Sequence, residues 1–284
     1  MIIDGHRHIV GDYAPILERM DALGIARTVL VGVGVRNLDL VTIHDSPLFR
    51  SHLLFRTLGM LKARQLVNSR AFRENLLGDP RNEDALRAVR ERPDRFYGFA
   101  FINPESPHAF TELRRCLAEG FRGIKLALVQ YPTDLRGKNM IALSEVAREC
   151  SIPVFMHLGI SPAAAEPEWL AETFPDVTFI IAHAGVQRFE ETIALARRLD
   201  NVFVDTSSYI ATVPKLKRLC KTIGAGKLIF GSDVPVMCEE VGDALAKIDA
   251  LNLPAAEKDK ILGGNLAAIL AQTGHLKTTS LSGG

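Results

Sequence analysis

Two histidines stand two residues apart near the start of the chain, His6 and His8 in MIIDGHRHIV. On a β-strand the side chains at i and i+2 share a face, so these imidazoles would lie roughly 6 to 7 Å apart and aim at one point. That spacing suits chelation of a metal, although an isolated pair is more often a strand end facing solvent. Further ionisable residues close later apolar runs: Lys125 in GIKL, His157 in VFMH, His183 in FIIAH, Asp205 in FVD and Asp233 in IFGSD. An ionisable group at the end of a buried strand costs several kcal/mol unless it is paired or coordinates a metal, so the recurrence argues for one shared site. Three imidazoles and a carboxylate suit a borderline divalent ion such as Zn, with Mn, Fe or Co as alternatives, and leave a position open for water. His6, His8, His157 and Asp233 form the expected ligand set. Asp233 would also serve as general base toward the activated water, and His183 would polarise the substrate or shuttle a proton.

For these groups to meet, the strands that carry them must run parallel and side by side. The chain supplies eight short apolar runs, MIID, RTVLVGV, FYGFAFI, FRGIKLAL, PVFMHL, TFIIAHA, NVFVDTS and KLIFGSD. Amphipathic stretches such as YAPILERMDALG, HAFTELRRCLAEG and FEETIALARRL alternate with them. The runs are almost continuously apolar, as expected of a sheet covered on both faces. The fold class expected is therefore α/β, a (β/α)8 TIM-like barrel in which strand C-termini converge on one mouth, with a doubly wound open sheet as the other arrangement. One interval breaks the rhythm. Residues 35–95 are too long for a plain βα loop and are expected to form a helical insertion, or lid, after the second strand. Its Arg50, Arg56, Lys62 and Arg64 could reach an acidic substrate, although a solvated helix face is the simpler role; His44 and His52 suit surface or capping positions. Residues 1–273 are read as one barrel domain and 274–284 as a flexible tail.

The 284 residues carry 34 Lys and Arg against 33 Asp and Glu, so no strong field recruits nucleic acid or an anionic membrane. A small-molecule partner is expected, with no nucleic acid and no membrane. Four scattered cysteines without a CxxC pair suit a reducing compartment, and nothing resembles a signal or spanning segment, so a cytoplasmic location is expected.

The motifs DGHRH, PVFMHLG, FIIAHAG, NVFVDTS, IFGSDVP and GGNLAAIL, in this order, resemble the amidohydrolase superfamily and, within it, the amidohydrolase 2 branch. The resemblance runs from Asp4 to about Leu270. It implies a (β/α)8 barrel in which His6, His8, His157 and Asp233 bind metal, with one ion per chain, and in which His183 is the catalytic acid or base. It also implies that Lys125 either bridges two metals as a carbamate or, with a single metal, binds a substrate carboxylate or oxyanion. Asn265 would cap the closing helix, and a homodimer is common among such barrels. The branch contains hydrolases that open amides, lactones or esters and decarboxylases that act on unsaturated or aromatic acids. Hydrolysis of a small, carboxylate-bearing substrate is the expected reaction, decarboxylation is the alternative, and a non-catalytic metal-binding barrel is a third reading. The DNA-cleaving relatives of this superfamily are disfavoured by Lys125, which stands where they carry a carboxylate.

Overall fold

The first strand, β1 (Ile2–His8), pairs in parallel with β2 (Ile25–Val31), and the helix Ala14–Ala22 returns the chain between them. In the computed structural model, residues 1–273 are described, apart from the side chains of Phe49, His52 and Arg56; the tail at 274–284 lies outside the described residues. After β2 come a short antiparallel pair, β3 (Val33–Val35) with β4 (Leu76–Arg81), and then β5 (Phe96–Phe101), β6 (Ile124–Ala127), β7 (Val154–His157), β8 (Phe179–Ile181), β9 (Val202–Asp205) and β10 (Leu228–Ile229). Eight of these form one parallel sheet in the order β1-β2-β5-β6-β7-β8-β9-β10. The ring closes through backbone bonds from Gly5 N to Phe230 O at 2.9 Å and from His8 N to Val234 O at 3.0 Å. The α/β barrel read from the sequence is the observed fold.

Alternation along the strands divides the apolar side chains between two cores. Val29, Phe99, Phe101, Phe155 and Ile180 fill the barrel, whose lower end is plugged by Leu266, Ile269 and Leu270 of the closing helix Asn265–Ala271. The opposite strand faces pack against the surrounding helices. Asn265 does not cap its helix; its side-chain amide donates to the carbonyls of Ala225 and Leu228 at 2.8 Å each, tying that helix to β10.

The interval 35–95 divides in two. Helix Glu83–Glu91 buries Ala85, Leu86, Ala88 and Val89 in the outer core and so belongs to the regular barrel layer. The departure from the barrel is the stretch before it, a chain of short helical turns ending in Met60–Val67 and Arg70–Asn75 and bracketed by the β3–β4 pair. This stretch stands at the C-terminal ends of the barrel strands.

Candidate metal centre and active site

Strand alternation and a register shift between Asp4 and Arg7 in β1 turn both His6 and His8 into the mouth, with ring centroids 5.6 Å apart. Their Nε2 atoms converge on Asp233 Oδ1, at 3.3 Å from His6 and 3.4 Å from His8. Asp233 lies beyond the end of β10 in a left-handed conformation, φ 60°, and its backbone N–H donates to the His6 carbonyl at 2.6 Å. Gly231 permits this approach, since a Cβ there would stand 2.4 Å from Asp205 Oδ1 and 2.8 Å from His6 Cβ. His183 is also left-handed, φ 53°, in a turn that follows β8. Ala184 and Val186 in the same turn and Ser208 after β9 also have positive φ, and a cluster of strained non-glycine residues at one mouth is what a constrained functional site produces.

Outer partners fix each ring. His8 Nδ1 donates to the Gly32 carbonyl at 2.7 Å, which leaves its Nε2 lone pair facing Asp233. Ser207 Oγ donates to Asp205 Oδ2 and lies 2.8 Å from His183 Nδ1 and 3.3 Å from His6 Nδ1. It thus accepts from the ring N–H groups and turns both Nε2 atoms inward. Asp205 also accepts the His183 backbone N–H at 3.0 Å, and Asp4 accepts from the backbone N–H and hydroxyl of Ser232 at 2.9 and 2.6 Å. Burial pushes Asp4 and Asp205 up to about 6 each, against these hydrogen bonds.

The described residues contain two clusters of metal-ligating atoms, His6–His8–Asp233 and His6–His183–Asp205. The second is already bridged by the Ser207 hydroxyl. The first encloses Asp233 Oδ1, a buried carboxylate oxygen with no hydrogen-bond partner, beside two imidazole Nε2 atoms. A buried carboxylate oxygen flanked by two imidazole Nε2 atoms at 3.3 and 3.4 Å fits a divalent cation. The protonation states agree. Burial drives His6 and His183 well below the usual imidazole value, and burial reinforced by the Lys125 charge takes His157 down to about 4. Burial would raise Asp233, but His6, His8 and Lys125 outweigh it and hold the group down to about 2.

Of the remaining candidates, His157 lies outside the tight cluster; its Nδ1 meets His183 Nε2 at 3.2 Å, and that atom in turn lies 3.6 Å from Asp233 Oδ2. Lys125 is not at the end of its strand. It pairs in register with Phe101 and Phe155, one inward layer below His157, and its Nζ reaches up to His6 Nε2 at 2.8 Å while passing 4.2 Å from the Phe155 ring. Burial lowers Lys125 to about 8, opposed by Asp233 and Asp205.

Above this floor is a pocket whose walls are apolar, built from the 33–72 segment and from loops carrying Leu158, Val186, Ile210 and Met237. Of the four basic residues of the insertion, Arg50, Lys62 and Arg64 are exposed and none of these three lines the pocket, which is the solvated-face role and not the substrate-reaching one. Arg50 pairs instead with Asp45, because a guanidinium beside a carboxylate in water has no reason to enter an apolar cleft. His44 is exposed and pairs with Glu239 at 3.1 Å, while the His52 and Arg56 side chains lie outside the described residues. Sequence reasoning did not single out Ser207, Asp4 or Gln130. The serine of NVFVDTS was legible as a residue of the same face as Asp205, two positions on.

The model of a family described as Amidohydrolase matches residues 52–271, a range that holds Lys125, His157, His183 and Asp233 and leaves His6 and His8 before it. Among solved structures, an uncharacterised TIM-barrel protein from Bordetella bronchiseptica is similar at 18% identity and TM-score 0.72, over 95% of this chain and 98% of that one. A dihydroxybenzoic acid decarboxylase from Polaromonas sp. JS666, with bound manganese and the inhibitor 2-nitroresorcinol, is similar at 16% identity and TM-score 0.63, over 95% and 96%. A probable 2-pyrone-4,6-dicarboxylic acid hydrolase from Acinetobacter baumannii, with citric acid bound, is similar at 16% identity and TM-score 0.65, over 95% and 99%. No curated protein sequence matches significantly.

Proposed function

The chain belongs to the amidohydrolase family, whose members are enzymes, and from that premise we propose that it is a metal-dependent hydrolase acting on a small, carboxylate-bearing substrate at the barrel mouth. The observation that carries this reading is the unpartnered Asp233 Oδ1 between His6 Nε2 and His8 Nε2. We assign His6, His8 and Asp233 as ligands, with His157 as the fourth, and one zinc ion per chain, manganese being the ion held by one structural neighbour. A divalent ion bound there supplies Lewis acidity and makes water a nucleophile near neutral pH. Asp233, kept ionised by its cationic and imidazole surroundings, takes the proton from the attacking water. His183, hydrogen-bonded to Ser207 and within 3.6 Å of Asp233 Oδ2, carries that proton onward to the leaving group. Lys125 now donates to the His6 lone pair that a cation would claim, so loading the site frees the ammonium for a substrate carboxylate or oxyanion.

Decarboxylation is the second reading. The apolar walls favour it, because a carboxylate withdrawn from water gains by dispersing its charge as carbon dioxide leaves. The 36–81 stretch is read as a lid over the pocket, and the free thiols of Cys116, Cys150, Cys220 and Cys238 support a cytoplasmic setting. The test is metal analysis of protein purified without chelator, followed by assays of acid release and of carbon dioxide release on the zinc- and manganese-loaded forms. About one ion per chain with acid release is expected. Activity that survives complete metal removal refutes the proposal, and carbon dioxide release selects the second reading.

A further inference from the structure

The pocket above the metal centre has a charge distribution of its own. At its floor stand the imidazoles, Asp233 and Lys125; among the described residues that line it, Lys125 is the only lysine or arginine. Everything above is neutral. The 33–72 segment contributes side chains such as Val35, Ile43, Met60, Ala63 and Val67, and the opposing loops contribute Ile160, Val186 and Met237. The polar exceptions on the walls, Gln130 and Gln187, carry no charge, and the Gln187 amide already donates to the Gly159 carbonyl at 2.7 Å. The cavity measures about 140 Å³. An apolar cavity of about 150 Å³ is enough to hold a benzene ring.

Among the described residues, a second carboxylate on the substrate would meet hydrocarbon and no cation, and its desolvation would go uncompensated. A hydrocarbon body would gain about 25 cal/mol for each Å² taken from water. Resting on the reading of the floor as a metal centre that takes a carboxylate, we propose that the substrate is a single-headed acid. Its one carboxylate lies at Lys125 with the bond to be cleaved beside it at the floor, and its remainder is a ring-sized apolar body enclosed by the described side chains of the 33–72 segment, so that dicarboxylic acids are rejected.

Calorimetric binding of simple acids to the zinc-loaded full chain tests this without any turnover. Affinity should climb from acetate through butanoate to hexanoate by roughly fourfold per added methylene. Adipate, which matches hexanoate in length but ends in a second carboxylate, should bind at least tenfold more weakly. Ala63→Asp, which places a charge on the wall and not at the floor, should weaken hexanoate by tenfold or more and leave acetate within twofold. Equal binding of hexanoate and adipate, or affinity that is flat along the series, overturns the inference while the metal centre stands. If no acid of any kind binds to either the zinc or the manganese form, the carboxylate-binding reading of the floor fails and this inference falls with it. Should Ala63→Asp not fold, the ratio of hexanoate to adipate in the unsubstituted protein decides alone.

Discussion

The floor of the pocket and its walls are built on opposite physical plans. On the floor, buried polar groups are cross-linked to one another: His6, His183, Asp205 and Ser207 share one hydroxyl, and Asp4 fastens β1 to the Ser232 turn. The 36–75 stretch has short helices and large apolar residues on both faces, and among its described residues the buried polar bonds are confined to its ends, where Asn75 and Asn37 exchange bonds at 2.8 and 2.9 Å. Phe55 and Phe72 are buried, while Leu53, Leu58 and Leu61 are 73%, 54% and 62% exposed. A network of directional bonds can hold reacting groups to a fraction of an ångström; an apolar surface, lacking direction, accommodates shape. On the proposed function chemistry belongs to the floor and selectivity to the walls, and substitutions in the two regions should differ in kind as well as in size.

The separation breaks if floor substitutions act through binding or wall substitutions through turnover. Asp233→Asn should have the largest effect, lowering kcat by about 10³-fold or more while circular dichroism shows an intact barrel. Full activity in that variant would mean another group is the base. Chelation should be as severe: activity should vanish, and the melting temperature should fall by several degrees, since a ligand present at a hundred times its Kd contributes about 2.7 kcal/mol to stability. Ser207→Ala removes the hydroxyl that orients two rings and should weaken metal affinity or kcat by roughly 10- to 100-fold, measured by metal titration and steady-state kinetics. On the walls, Met60→Ala should raise KM several-fold and leave kcat within about twofold, in keeping with the transfer energy of a part-buried side chain. Leu53→Asp, on the outer face, should change stability by no more than about 0.5 kcal/mol in a denaturant titration and leave both kinetic constants alone. A larger effect there would show that the outer face is covered in solution.

The floor was far more legible in the sequence than the walls. An ionisable residue closing an apolar run is visible without knowing the fold, which is why His157, His183, Asp205 and Asp233 could be named in advance. Lys125 was placed correctly on its strand but one layer too high, because a long flexible side chain hides where its charge will go. For the basic residues of the insertion two roles stayed open, because composition shows that a cation exists and only packing shows which face it takes; Arg50, Lys62 and Arg64 take the solvated one. Ser207 and Asp4 escaped notice because their roles lie in the groups they touch, and those groups are distant in the chain.

The order of the apolar runs and the amphipathic stretches between them were sufficient to determine a parallel α/β sheet with ionisable groups toward its strand C-termini, since both follow from local periodicity and burial, while closure into a ring rests on the pairing of β1 with the end of β10. The tertiary structure alone decided that His6 and His8 meet Asp233 Oδ1, that Ser207 turns two rings inward and that the described side chains of the walls are uncharged. Those facts depend on a register shift in β1, two left-handed residues and the docking of the 36–75 stretch. Each is a contact between distant parts of the chain, whose energy no single segment contains.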